Sequence, residues 1–493
     1  MHDDDTDNRY GAVVPTATSN ALVSPLRPAD LAFEPLVTPS RQSNEGVDCG
    51  DVPTACSIPF MILLCLPRFA ITMAWAAQWS VLGPLLNILL SSSAVQIIQL
   101  VGPISGLVVG PVVGVFCDKC ASPFGRRRPY LFWGAMTSIL CWVLMMFTVE
   151  IGNALGDSAA DRGWTTVLTV LCYVWMDITV NITMVPANLI LADFAGDRQV
   201  TGAVVGGLVA AGGQVTVALY ILAFGPAYNT MKSFLSLLIA IMFSTSMAVC
   251  WFVSEKRFAF ESKGSRWNDV QATFAAVYTG IRDLPRPLAV YFVIMMLTQY
   301  GFTAYNGAKG QFFGLVVNGG TSAGADACDK HCTPAQKAYN NGVQLGGQTD
   351  LLYLVGVVYV CFLPVLVKRF GARVVVSASI LPQTFLAVMA FSKNVPLDMV
   401  LASGCSITQA TIFPLAVPIV LHVIGQREDN GLGLFAGALN SSMCFGQFLN
   451  FGIGSVLVTS AMGYALPIMV GGLLSAVAFI IALTQFHVRM HTM

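Results

Sequence analysis

Asp177 stands near the middle of a long apolar run and reads as the only acidic residue deep within any such run; a charged carboxylate there costs about 2.5–3.5 kcal/mol even on a lenient insertion scale. Desolvation penalises its anion, and no cation lies close to it in the sequence, so it is suited to take up, carry and release a proton. At about 100° per residue, Asp177, Asn181, Met184 and Asn188 share one helical face. A carboxylate and two amides are therefore expected to point together into a polar cavity. Arg68, near the start of the first apolar run, is expected to lie too shallow to pair with Asp177. The competing reading is a permanently protonated acid that only ties helices together.

Gln78, Asn181, Asn188, Asn306 and Gln409 place amides at membrane depth, and Tyr305 adds a hydroxyl. Donors and acceptors of this kind, set in an otherwise apolar pocket, suit a polyhydroxylated ligand. Each alone is as well explained by an interhelical hydrogen bond of about 0.6 kcal/mol. The candidate ligand set is Gln78, Asn181, Asn188, Tyr305 and Asn306, with Trp75 and Trp79 able to stack on a sugar or to fill core. Other motifs carry less. Cys117-Asp118-Lys119-Cys120 is a C-x-x-C without a redox fold around it, and Cys328 and Cys332 flank His331 in a polar loop where either a disulfide or a metal is chemically allowed. No phosphate-binding loop, zinc-protease motif or catalytic set appears, so no enzyme, no resident metal and no cofactor is expected.

These residues have to be positioned by membrane helices. Of 493 residues, 55% are hydrophobic and 11% charged, less than half the charged fraction usual in soluble domains. Twelve apolar runs are long enough to span a bilayer as helices: roughly 57–89, 94–117, 129–149, 164–192, 201–224, 232–253, 286–313, 349–367, 373–392, 396–424, 431–459 and 464–486. Gly102, Gly106, Gly110 and Gly114 recur every four residues, which predicts close helix packing, with Gly202 and Gly206 repeating the pattern. The basic connections fall on one side: Lys119, Arg126, Arg127, Arg128, Arg198, Lys256, Arg257, Lys263, Arg266, Arg282, Lys368, Arg369, Arg373 and Arg427. Arg162, Lys232, Lys330, Lys337 and Lys393, with Lys309, fall on the other. This bias puts both termini in the cytosol.

The expected organisation is a disordered tail over 1–56, a six-helix bundle over 57–253, a charged linker over 254–285, a second bundle over 286–486 and a short tail over 487–493. Two bundles around a midplane site suit a secondary transporter. The expected setting is a multi-pass protein of the plasma membrane or of an intracellular organelle. Its partners are then a small sugar, protons and the lipid bilayer, with no nucleic acid; the sequence sets no oligomeric state.

Four stretches resemble the sucrose–proton symporters and their animal pigment-cell relatives (the glycoside-pentoside-hexuronide:cation symporter type) within the major facilitator superfamily. They are Trp75 to Pro84; Gly102-Pro103-Ile104-Ser105-Gly106 through Asp118 to Arg126-Arg127-Arg128-Pro129; Asp177 through Asn181 and Pro186 to Asp193; and, more weakly, Gly431 to Asn440. The resemblance implies the superfamily fold, twelve helices in two halves, alternating access and proton-driven uptake of a disaccharide or glucoside. It also implies that Asp177 is the proton-coupling group, and that Asp118, Arg126, Arg127 and Arg128 form the loop that latches the inner gate. The chain departs from the plant symporters at Asn188 and at Gly342-Val343-Gln344, where they carry arginine, and at Tyr305 to Lys309, where they carry an acidic pair. Amides cannot copy arginine's charge or its rigid fork, so the choice of sugar is not carried over with the proton coupling. A facilitative or cation-coupled carrier of another polar metabolite, and a sugar sensor that moves nothing, are the alternatives.

Overall fold

The computed structural model describes residues 56–158, 161–195, 198–255, 266–327, 332–424, 432–488 and 490. The expected tail over 1–56 lies outside them but for Cys56, as do residues 256–265 of the expected linker and most of 487–493. The described chain is helical. Eleven helices are long and apolar enough to cross a membrane. They are α1 (Ile58–Leu89), α2 (Ser92–Asp118), α3 (Arg128–Met146), α4 (Gly163–Ala195), α5 (Thr201–Phe224), α6 (Ala227–Phe252), α8 (Arg286–Asn306), α9 (Pro334–Phe370), α10 (Ala372–Met389), α11 (Val395–Ile424) and α13 (Ala465–Thr484). Between them come α7 (Arg266–Arg282) and α12 (Leu432–Leu457). The run expected over 431–459 forms α12, which is long enough but interrupted by Asn440, Ser441, Ser442, Gln447 and Asn450.

Three further differences from the expected runs have physical causes. First, α9 begins at Pro334 rather than near 349. Thr333 caps it, its hydroxyl accepting from the Gln336 backbone while the Gln336 side chain accepts from the Thr333 N–H. Its 37 residues reach about 55 Å, well beyond the hydrocarbon core, so its polar first turns need not be apolar. Second, the expected linker contains α7, whose Trp267, Phe274 and Tyr278 lie on one exposed face. Third, α1 changes its winding: Gln78–Leu82 is a π-helical turn, and the Gly83 N–H reaches the Gln78 carbonyl five residues back. Pro84 has no N–H to offer the carbonyl four residues back, at Ser80, and single π turns of this kind concentrate at functional sites.

Buried apolar side chains gather in three clusters. One holds Leu64, Trp142, Tyr173 and Phe234 of the early helices together with Tyr339 and Val343 of α9. A second holds Leu288, Tyr291, Ile380, Leu415 and Phe486, and a third Tyr305, Phe312, Phe313 and Ile468. Large apolar side chains also cover the outside, among them Trp133, Leu171, Val358, Val400 and Val456, a surface suited to lipid rather than water.

The near end, where Ser57 starts α1, and the far end, where α1 turns into α2, differ. At the far end, Tyr339 donates to the Pro84 carbonyl at 3.1 Å, Tyr228 to Asn340 at 2.5 Å, and Gln344 to the Ile221 carbonyl at 3.2 Å. Arg162 pairs with Asp326 at 2.8 Å. Early helices are thus bound to α9 and to the segment before it. Toward the near end, methyl groups added at Gly110 and Gly114 of α2, Gly207 of α5 or Gly437 of α12 would meet nothing within 4 Å. The far end is tied together by these contacts, while Gly110 and Gly114 have no packed neighbour. This corrects the packing expectation for Gly110 and Gly114, which approach no helix. Gly102 and Gly106 do face neighbours, the Asp177 carboxylate at 3.2 Å and the Cys444 sulfur at 3.4 Å.

Candidate functional site

Asp177 is 2% exposed on α4. Its Oδ2 accepts from Gln78 Nε2 at 3.0 Å, and the same nitrogen lies 3.0 Å from the Tyr173 hydroxyl. Tyr173 precedes Asp177 by four residues, so the two share a face of α4. Asn181, one turn further on, donates to the Asp177 carbonyl at 2.8 Å and to Ser105 Oγ of α2 at 3.0 Å. Gly102 lets α2 come this close, because a Cβ there would sit 3.2 Å from Asp177 Oδ2. No lysine or arginine is among the partners described for the carboxylate; its surroundings are amide, hydroxyl and backbone.

Of the expected ligand set, Gln78 and Asn181 come together at Asp177. Asn188 does not. It sits 11 residues along α4, about 16 Å at the helical rise, where its Oδ1 accepts from Arg68 Nε at 2.9 Å. Arg68 is thus held away from Asp177, as its depth implies. Tyr305 and Asn306 belong to a different cluster. Tyr305 donates to Thr349 Oγ1 at 2.7 Å, and Asn306 Oδ1 accepts from Lys309 Nζ at 2.9 Å. Gln409 stays apart from both clusters, its Oε1 without a hydrogen-bond partner.

The second cluster overturns two expectations. Asp177 is not the only deep acid: Asp350 is fully buried, because α9 begins a full 16 residues before it. Lys309 is not a loop cation; it is 1% exposed and its ammonium forms an ion pair with Asp350 Oδ1. Ser80 Oγ of the π-helical turn donates to Asp350 Oδ2 at 2.8 Å. These two buried carboxylates differ in their partners: Asp350 faces an ammonium and a hydroxyl, whereas Asp177 has neutral partners only. A third, Asp398 in the first turn of α11, is also buried, with neither carboxylate oxygen hydrogen-bonded.

Sequence reasoning missed Tyr173, Ser80, Gln99, Gln311, Lys309 and Asp350. Tyr173 was open to discovery by the four-residue period. Gln99 Nε2 donates to the Gly307 carbonyl at 3.3 Å, and the Gln311 side chain makes no hydrogen bond. Trp79 stacks on Phe451 of α12 at 5.7 Å with 14° between planes, so its ring is engaged by a core partner. A cavity of about 450 Å³ lies at the far end, lined by Glu150, Arg162, Asn229, Lys232 and Asp326; it shares no residue with the Asp177 cluster.

Asp118, Arg126, Arg127 and Arg128 meet at the near end. Arg127 pairs with Asp118 at 2.6 Å and with Asp193 at 3.2 Å, and Arg126 with Asp193 at 2.8 Å. Desolvation works against the buried Arg127 guanidinium, but the carboxylates of Asp118 and Asp193 outweigh it and hold its pKa above the ordinary value. Glu255 accepts from the backbone N–H groups of Arg126, Arg127 and Arg128 at 2.8, 2.8 and 2.9 Å. Gly125, at φ 102°, permits this turn, since a Cβ there would fall 2.6 Å from Glu255 Cβ. These contacts knit α2, α4 and the end of α6 to one loop. The tie from this region to α7 is the ion pair of Lys119 with Asp269. Among the described residues no cluster of His, Cys, Asp and Glu could hold a metal. Cys332 is disulfide-bonded, which removes it as a metal ligand, and Cys328 and His331 lie outside the described residues.

Comparison with known proteins agrees with this architecture. The family model described as MFS/sugar transport protein matches residues 65–325. The sucrose transport protein SUC3 of Arabidopsis thaliana is 33% identical over 176 residues, which are 34% of this chain and 30% of that relative. The sucrose transport protein SUT1 of Oryza sativa subsp. japonica is 25% identical over 445 residues, covering 79% of this chain and 80% of the relative. Among solved structures, the nucleoside transporter NupG superposes with a TM-score of 0.56 at 12% identity, covering 87% of this chain and 99% of its own. A D-xylose-proton symporter does so with 0.54 at 14%, covering 87% and 98%. At such identities these two carry the fold alone.

Proposed function

As the chain belongs to the MFS/sugar transport protein family, we propose that it moves a sugar, a disaccharide such as sucrose or a glucoside, across the bilayer together with a proton by alternating access. In this reading twelve helices, α1 to α6 and α8 to α13, form two six-helix halves joined through α7, with both termini in the cytosol. The near end is then cytosolic. The sucrose transport proteins among its relatives motivate the substrate class.

The observation that carries proton coupling is the contrast between Asp177 and Asp350, two of the three acids buried among the described residues. A carboxylate held by an ammonium, as Asp350 is by Lys309, has no reason to change its charge during a cycle. Asp177, hydrogen-bonded to Gln78 and enclosed by neutral groups, can hold a proton or lose it without breaking an ion pair. Asp177, with Gln78 and Asn181 beside it, is the proton-binding end of the site in this proposal. The network of Asp118, Arg126, Arg127 and Arg128 stiffens the near end of the first half as it rocks.

The test is uptake of a panel of labelled sugars into proteoliposomes across an imposed pH gradient. Accumulation of a disaccharide or glucoside above equilibrium supports symport, and Asp177→Asn should abolish it while leaving exchange. Gradient-independent equilibration would make the protein a facilitator with Asp177 structural. Saturable binding without any flux would make it a sensor. Normal accumulation by Asp177→Asn overturns the assignment of the coupling acid.

A further inference from the structure

The turn Gln78–Leu82 reaches in two directions. Gln78 donates to Asp177 within the early helices at 3.0 Å. Ser80, two residues on, donates across to Asp350 of α9 at 2.8 Å. Both side chains are buried, at 3% and 1% exposure, so neither can move into open space without displacing the other. The turn is also wound more loosely than the helix around it, with one hydrogen bond spanning five residues at Gly83. A loosely wound turn between two fixed helical pieces can change pitch without unfolding either.

We infer that this turn transmits the protonation of Asp177 to the closure of the far end, with Ser80 as the positioning residue that carries the link. The inference rests on the proton-coupled reading above. The ionised carboxylate accepts from Gln78 Nε2 and holds the turn so that Ser80 reaches Asp350. A proton arriving from water and bonding to Oδ2 occupies the position of the Gln78 N–H, because two donors cannot face each other. The Gln78 amide then turns its N–H away, either by leaving or by presenting Oε1 to the new O–H, and in this inference that rearrangement shifts the turn so that the Ser80 hydroxyl leaves Asp350. The far end loosens as a result. Loss of the proton to water restores the ionised acceptor and the latch.

The charged and titratable groups around the path are few. Tyr173 faces Asp177 from its own helix. From α2 come Gly102 and Ser105, and from α1 Gln78. The α3 contribution includes Cys141, whose thiol donates to the Cys172 carbonyl at 3.1 Å. Around Asp350 stand Lys309, Tyr305 and Tyr353. Lys309 faces Asp350 as an ion pair, and beyond Tyr305 stand Asp398 and Cys405.

The experiment compares wild type, Ser80→Ala and Ser80→Thr in proteoliposomes with labelled sucrose or the best substrate of the panel. It records accumulation driven by a pH gradient, and the pH dependence of half-saturation for sugar supplied at the far end. In wild type, half-saturation should change with pH by about tenfold or more, the equivalent of one hydrogen bond to a charged group. Ser80→Ala should flatten that profile and lower accumulation while exchange persists, and Ser80→Thr, which keeps the hydroxyl, should restore both. A Ser80→Ala protein with the wild-type profile and accumulation overturns the inference, as does a Ser80→Thr protein equally defective in both. Should the alanine variant fail to fold, Ser80→Cys, of similar shape but a weaker donor, is read by the same criteria. Failure of Asp177→Asn to impair accumulation would sink the proton-coupled reading itself. An impaired Asp177→Asn beside an unaffected Ser80→Ala sinks only the link.

Discussion

Replacing Lys309 by methionine tests how the second buried acid is held. The Lys309 and Asp350 side chains are 1% and 0% exposed. Removing one member of a buried pair leaves an uncompensated charge, a loss of about 3–5 kcal/mol. Ser80 at 2.8 Å remains as a single donor to the anion and offsets part of this, while Asn306 loses the partner it has at 2.9 Å. Removing both charges by Lys309→Met with Asp350→Leu strands only the Ser80 hydroxyl, at about 1–3 kcal/mol, and well-packed apolar replacements can recover as much or more. The double variant should therefore be more stable than either single one. The measurement is a double-mutant cycle on unfolding free energies, from denaturant titration in detergent micelles, where the interaction energy should reach about 3 kcal/mol or more. Single variants as stable as wild type, or a double variant that loses the sum of both, would refute the buried pair.

Other outcomes can be checked alongside. Gly213→Ala would place a methyl group 2.1 Å from the Phe69 carbonyl oxygen where α5 crosses α1, so thermal unfolding should show a loss of about 1–3 kcal/mol. Gly110→Ala, with nothing within 4 Å, should leave stability unchanged or raise it by up to about 1 kcal/mol through helix propensity, against the reading of the whole glycine row as a packing stripe. Glu255→Gln keeps the shape but trades a carboxylate that accepts three backbone N–H groups for a single amide oxygen, and should cost about 2 kcal/mol in the same assay. Asn188→Leu removes the acceptor that holds Arg68 at 2.9 Å; stability should fall while the Asp177-dependent accumulation survives.

The sequence by itself determined that this chain lives in lipid and roughly where most of its spans lie. Those are local properties: run length, the cost of a charge in hydrocarbon, and the periodicity that puts Asn181 on the face of Asp177. The near-end loop of Asp118, Arg126, Arg127 and Arg128 was implied by the family resemblance, and its partners Asp193 and Glu255 came only with the structure. What only the tertiary structure decided is which distant groups meet. Lys309 and Asp350 are 41 residues apart, and each sits near the end of an apolar run, so hydropathy leaves both at the membrane edge. Burial there comes from Ser80 of α1 and from the extra turns of α9 stacked on the early helices. Those turns are polar, so no hydropathy window marks them as helix, and they are stabilised by neighbours rather than by lipid. Asn188 illustrates the converse: it shares a helical face with Asp177, but two residues on one face can lie turns apart, and the partner on the next helix settles which of them serves the site.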